Sequence, residues 1–84
     1  MPKFSIIIPL FNKQNFIENT INSILNQSVT DFELIIVNDG STDNSEEKVL
    51  QFNDKRIHYY SKKNEGVSTA RNYGIEKAKS DYIT

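Results

Sequence analysis

The sequence contains no cysteine. Disulfide bridges, thiolate zinc sites and thiol catalysis are therefore excluded by composition. Glycine is scarce, with three residues in 84, and none follows the first apolar segment. The dinucleotide-binding turn G-x-G-x-x-G is absent, and so is the phosphate loop G-x-x-x-x-G-K-[ST]. No apolar run approaches the length of a membrane span. The run Phe4 to Leu10 is broken by Ser5 and Pro9, with no small-residue cleavage pattern behind it. An excess of one charge sign is missing too: ten Lys+Arg stand against eleven Asp+Glu, a formal net charge of -1. That balance gives no general attraction to nucleic acid or anionic lipid, so nucleic acid is not an expected partner.

What is present fits one small soluble domain. Hydrophobic residues make up 37% and charged residues 25% of the 84 positions. Phe4 to Ile8 is short, β-branched and nearly all apolar, as strands covered on both faces are. Pro9 ends it. Phe16, Ile17, Ile21, Ile24 and Leu25 recur at helical spacing, with Glu18 in the first turn and a fade near Gln27 and Ser28. Phe32 to Val37 reads as a second strand. Thr42 and Asp43 suit the cap of a second helix carrying Glu46, Glu47, Val49, Leu50 and Phe52. Ile57 to Tyr60 forms a third strand, nearer an edge. Val67, Ala70, Gly74, Ile75 and Ala78 mark a third helix with a narrow small-residue face, and "DYIT" opens a fourth strand. The alternation predicts an α/β fold: a Rossmann-like parallel sheet with helices on both faces and a crevice at the carboxyl ends of the strands.

Three loops follow strands and so gather at that crevice: Leu10–Asn15, Asn38–Asp43 and Ser61–Gly66. Asp39 stops a buried strand on a carboxylate, which only accepts hydrogen bonds. It suits a ligand that offers donors, such as the ring N–H of uracil or guanine, or ribose hydroxyls. Alternatively Asp39, Ser41, Thr42 and Asp43 build a turn and cap a helix. Helical spacing puts Arg71 among Val67, Ala70, Gly74, Ile75 and Ala78, on the face expected to meet the sheet. A guanidinium there must be paired or must reach a cavity. Its fork of donors suits phosphate or base edges, and the helix start near Gly66 adds partial positive charge. The alternative is an ion pair with an acid such as Asp39. Phe11 and Lys13 stand where a base and a phosphate would lie, or else serve the core and the solvent. His58 is expected to point outward, and Lys62 and Lys63 to form a solvated basic loop.

The stretches "FSIIIPLFNKQNFIENTINSILNQSVTDFELIIVNDGSTDNS" and "NEGVSTARNYGIEKAKSDYI" together resemble family 2 glycosyltransferases of the GT-A fold. The resemblance covers essentially the whole chain and about the first third of a usual catalytic domain. It implies that Pro9 and Phe11 belong to the loop that cradles the base, where Tyr is more usual than Phe. It implies that Asp39 accepts from the base ring and that Arg71 faces the nucleotide, with Asn38 standing where many members carry a second Asp. It further implies transfer of a sugar from a nucleotide-sugar, UDP-linked in most members, to a glycan or lipid-linked acceptor. Mg²⁺ or Mn²⁺ would bridge the diphosphate. A cytoplasmic location follows for the longer protein, with peripheral membrane association compatible with it.

The family's D-x-D metal motif would come just after "SDYIT". Residues 1–84 are accordingly expected to be the N-terminal part of a GT-A domain, binding nucleotide without turnover, and Asp81 is not expected to replace the metal ligand. No catalytic residue is assigned within the chain. An open sheet edge would favour self-association. The other reading is a non-catalytic nucleotide-binding or assembly module of the same fold.

Overall fold

The computed structural model describes residues 2–28, 30–80 and 82–83. Along the chain run β1 (Phe4–Leu10), α1 (Ile17–Leu25), β2 (Phe32–Asp39), α2 (Ser45–Leu50), β3 (Ile57–Lys62), α3 (Val67–Lys77) and β4 (Tyr82–Ile83). All the ladders are parallel, and the sheet order is β3-β2-β1-β4. The strand–helix alternation expected from the apolar periodicity is the one observed. The first two crossovers step in one direction and the third returns to the far side of β1. That reversal makes a switch point between β1 and β4, and open α/β sheets bind ligands outside the carboxyl ends of the strands at such a point.

β2 lies in the middle, and all eight of its residues are buried. Its two faces feed two cores, because successive strand side chains point to opposite sides. Leu34 and Ile36, with Leu10 of β1, pack against Ile17 and Ile21 of α1 and Val49 of α2. Ile35 and Val37, with Ile7, pack against Ala70 of α3. Each fully buried aliphatic side chain contributes on the order of 1.5–3 kcal/mol, so β2 is apolar from Leu34 to Val37 for a direct energetic reason. On the outer side, Lys48 of α2 reaches Glu18 of α1 at 3.1 Å.

α3 comes unusually close to the sheet. A Cβ built on Gly74 would lie 2.6 Å from Ile7 Cγ2 and 3.3 Å from Val37 Cγ2. The small-residue face read from the sequence is thus a contact face, reduced to Ala70 and Gly74 as the buried positions.

α2 is shorter than the sequence suggests. Its N-cap is Asn44, and Asp43 serves the helix start from one residue earlier, accepting the Ser45 N–H at 2.9 Å. Phe52 falls beyond the helix yet still packs on the α1/α2 core. The turn before β3 is closed by Asp54. Both its oxygens accept from the Arg56 guanidinium, at 3.0 and 2.9 Å, and Oδ1 also takes the Arg56 N–H. These bonds hold the Asp54 carboxyl down at about 2.

At the amino ends of the strands a second carboxylate is buried. Glu33 is 3% exposed, and its Oε2 accepts the Ser5 hydroxyl and the Lys79 N–H, both at 2.6 Å. His58 Nε2 lies 3.8 Å from Glu33 Oε1 and is half-buried, so it is not the outward bystander that strand alternation predicts. Asp81 and Thr84 lie outside the described residues.

Gly74→Val is expected to overpack the α3–sheet contact and cost about 1–3 kcal/mol. For a domain of this size that lowers the melting temperature by roughly 4–8 °C per kcal/mol. Differential scanning calorimetry checks it, and an unchanged melting temperature contradicts the close approach.

Candidate functional site

The carboxyl ends of β1 and β2 and the start of α3 enclose a cavity of about 410 Å³. Pro9, Leu10, Phe11 and Lys13 line it from β1 and the following loop; Asp39, Asn64, Gly66 and Val67 complete it. Three of the four sequence-predicted nucleotide residues, Pro9, Phe11 and Asp39, therefore meet at one opening. Phe11 is 44% exposed, so its ring is available to the cavity rather than absorbed in the core.

Asp39 organises this end of the sheet. It is only 3% exposed. Oδ1 accepts the Glu65 N–H at 2.9 Å and the Lys62 ammonium at 3.4 Å, and Oδ2 accepts the Gly66 N–H at 3.0 Å. Burial pushes the Asp39 carboxyl up, but the two backbone N–H donors and the Lys62 ammonium together outweigh it and hold the carboxyl below its usual range. The charge is thus sustained by the entrance of α3. Gly40 follows at φ 72, and a Cβ there would come within 2.8 Å of the Asn64 nitrogen. Asn64 Nδ2 in turn donates to the Asp39 carbonyl at 3.0 Å. Only glycine meets both the backbone angle and this contact.

Two expectations are corrected here. Lys62, read as solvated, has a side chain only 10% exposed and directs its ammonium at Asp39, at Glu65 Oε1 (2.6 Å) and at the Lys63 carbonyl (2.8 Å). Arg71, placed by helical spacing on the sheet-facing side, is exposed, lies outside the cavity lining and makes no ion pair with Asp39. The reason is the width of the buried stripe. Gly74 draws α3 so near that its fully buried positions are Ala70 and Gly74, four residues apart, with Tyr73 packing beside them on Tyr60, and Arg71 is turned away by about 100° from Ala70. Arg71 still lies one turn from Val67 at the cavity rim.

Asn38 uses both halves of its amide. Nδ2 donates to the Tyr59 hydroxyl at 2.9 Å, and Oδ1 accepts the Ser41 N–H at 3.0 Å. The Tyr59 hydroxyl donates onward to Glu46 Oε2 at 2.6 Å. Burial, and then the Glu46 carboxylate, raise the Tyr59 hydroxyl above its ordinary value. An aspartate at 38 could not donate to Tyr59 while Tyr59 donates to Glu46.

The sequence reading missed Lys62 and Asn64. Asp39 and Lys62 are register partners at the ends of β2 and β3, a pairing that only the alignment of the two parallel strands reveals. Among the described residues no group of three or more His, Asp or Glu could hold a metal ion. Asp39 does not fit that purpose, because a cation would replace the ammonium and N–H donors that already surround it. Among the described residues, no helix is long and apolar enough to cross a membrane.

The family model described as Glycosyl transferase family 2 matches residues 5–84. An uncharacterized glycosyltransferase of Rickettsia bellii (strain RML369-C) is 48% identical over 83 residues, covering 96% of this chain and 12% of the relative. One from Haemophilus influenzae is 45% identical over 87 residues, covering 100% of this chain and 35% of the relative. The chain thus spans about an eighth and about a third of the lengths of these two curated relatives. The crystal structure of S. aureus TarS 1-349 superposes with a TM-score of 0.88 at 28% identity, over 96% of this chain and 26% of that one. The same protein in complex with UDP gives 0.79 at 26% identity, over 96% of this chain and 25% of that one. A mannosyltransferase from Pyrobaculum calidifontis, solved with GDP-Man and Mn2+, shares the fold with a TM-score of 0.90 at 21% identity, over 98% of this chain and 26% of that one.

Asp39→Ala leaves the Glu65 and Gly66 N–H groups without their acceptor, at a cost of roughly 1–3 kcal/mol in unfolding free energy. A denaturant titration reads it. The acid side carries a second expectation. The carboxyls of Asp39, Asp43 and Asp54 all sit below their usual range in the folded chain. Their stabilisation is complete above the unfolded value of about 4 and is lost as pH falls through the folded values. Melting temperature should fall on acidification from pH 4 toward the value of about 2 that belongs to Asp54. Asp54→Asn should flatten that slope, and an unaltered slope counts against the assignment.

Proposed function

The chain belongs to glycosyl transferase family 2, and on that premise we propose that it supplies the nucleotide-binding segment of an enzyme that moves a sugar from a nucleotide-sugar to a glycan or lipid-linked acceptor. Uridine diphosphate is the donor nucleotide in this reading. The observation that carries it is the buried, ionised Asp39 at the end of β2, facing the same cavity as Pro9 and Phe11. The volume of about 410 Å³ falls within the roughly 300–1,000 Å³ typical of small-ligand clefts.

The hydrogen bonds already made by Asp39 favour uracil. A carboxylate offers about four acceptor positions, and Lys62, Glu65 and Gly66 occupy three. Oδ1 is fully engaged, and Oδ2 retains one. A base with a single ring N–H flanked by carbonyls matches that remainder. Guanine presents two donors side by side and needs both oxygens. Cytosine and adenine place a ring acceptor there, which the carboxylate repels. The superposition on a structure solved with UDP supports the same choice.

Phe11 offers a ring face to the base, and base–aromatic stacking is worth about 1–3 kcal/mol. Lys13 lines the cavity beside it and supplies a cation for the diphosphate. Arg71, exposed one turn into α3, adds a second cation at the rim. A divalent ion would neutralise the leaving diphosphate. In this reading residues 1–84 form the amino-terminal part of a GT-A domain, as the 12% and 35% of the two relatives' lengths that the chain spans support.

Calorimetric titration of the chain with UDP, GDP, CDP and ADP, with and without Mn²⁺, tests this. UDP should bind weakly but ahead of the other three, and Mn²⁺ should leave its affinity unchanged. Phe11→Ala should weaken UDP by about 5- to 150-fold, the equivalent of the stacking energy. Asp39→Ala should abolish measurable binding, and Arg71→Ala, at the exposed rim, should weaken it less than Phe11→Ala does. Equal affinity for all four nucleotides removes base reading from Asp39.

A further inference from the structure

Phe11 is half-exposed, so core packing does not hold its ring in place. Its position is set by the backbone that follows, and that backbone is anchored by Asn12. Asn12 adopts φ 50, the one positive φ outside glycine among the described residues. Asparagine tolerates this left-handed region better than most side chains. The conformation brings both its polar ends against the loop after β2. The Asn12 N–H donates to Ser41 Oγ at 3.0 Å. Its Oδ1 accepts the N–H groups of Thr42 at 2.8 Å and Asp43 at 3.3 Å.

The neighbours of Asn12 repeat the arrangement. Lys13 N–H donates to Ser45 Oγ at 2.8 Å, and Gln14 N–H to Asp43 Oδ2 at 3.2 Å. Asn44 N–H returns to Gln14 Oε1 at 2.9 Å. Two loops of different crossovers are therefore cross-bonded in both directions. One carries Phe11, and the other begins at Asp39. Neither is rich in glycine, and neither is anchored by apolar packing at its tip.

Resting on the nucleotide-binding reading above, we propose that Asn12 is a positioning residue for the base. By locking the β1–α1 loop to the β2–α2 loop, it holds the Phe11 ring at a set distance from Asp39 before any ligand arrives. The pre-formed gap spares the ligand the entropy of ordering two loops.

Three substitutions separate the parts of the claim. Asn12→Gly keeps the positive φ and removes the side-chain acceptor. Asn12→Asp keeps the acceptor and tolerates the same φ. Asn12→Ala removes the acceptor and strains the φ. Amide hydrogen exchange at Thr42 and Asp43 reads the lock, and calorimetric titration with UDP reads the positioning, each on chain shown to be folded by circular dichroism. Asn12→Gly should lose protection at both amides and bind UDP about tenfold more weakly, with a larger entropic penalty. Asn12→Asp should restore both readouts, which a purely structural loss of stability would not do. Unchanged protection in Asn12→Gly overturns the lock. Lost protection with unchanged UDP affinity overturns the positioning role. If the unsubstituted chain binds no nucleotide while the exchange pattern follows these substitutions, the nucleotide reading fails and the lock between the loops stands.

Discussion

A carboxylate placed at the end of a wholly buried strand is the constraint around which this chain is arranged. Burial opposes the charge on Asp39, and the charge persists because the Glu65 and Gly66 N–H groups and the Lys62 ammonium converge on it. Those donors come from the end of β3 and the entrance of α3. One side chain therefore ties the middle strand to the third crossover and fixes where α3 begins. The same side chain forms a wall of the cavity. In the proposed function its binding role is inseparable from its structural one, since the donors that stabilise the charge also leave only part of its acceptor capacity free.

The middle of the sheet and its carboxyl end are held together by opposite chemistry. Along their middle, β1 and β2 are sealed by aliphatic side chains on both faces. At the carboxyl ends, loops meet through side chain–backbone hydrogen bonds that Asn12, Asn38, Asp39, Asp43 and Asn64 provide. Short amides and acids suit this work, because each can satisfy backbone donors or acceptors of a neighbouring loop, 25 to 30 residues away in the chain for Asn12, Asp39, Asp43 and Asn64.

Much of the architecture was legible in the residues. The β-branched runs at Phe4 to Ile8 and Phe32 to Val37, the helical recurrence of Ile17, Ile21 and Ile24, and the small face at Ala70 and Gly74 each carried a period that burial then enforced. The placing of Asp39 at a crevice followed from where its strand had to end. The errors fell where tertiary contact overrides local pattern. Arg71 belongs by spacing to the apolar side of α3, but the closeness that Gly74 permits narrows the fully buried stripe to Ala70 and Gly74. Lys62 looked like an ordinary loop lysine, because its partner Asp39 lies 23 residues away and meets it only through strand register. Glu33 gave no periodic signal at all, since a buried acid is recognisable only by the donors that surround it.

That buried acid has a topological consequence. After α3 the chain must choose between the two outer sides of the sheet, and β3 offers an open one much nearer in sequence. The Lys79 amide is caught by Glu33, the Ser80 amide by the Ser5 hydroxyl, and the Ser80 hydroxyl by the Lys3 carbonyl. Each of these captures pulls the returning chain across the floor of the sheet toward β1. A handful of polar atoms at the end remote from the cavity thereby holds the returning chain beside β1, the edge on which the next strand lands.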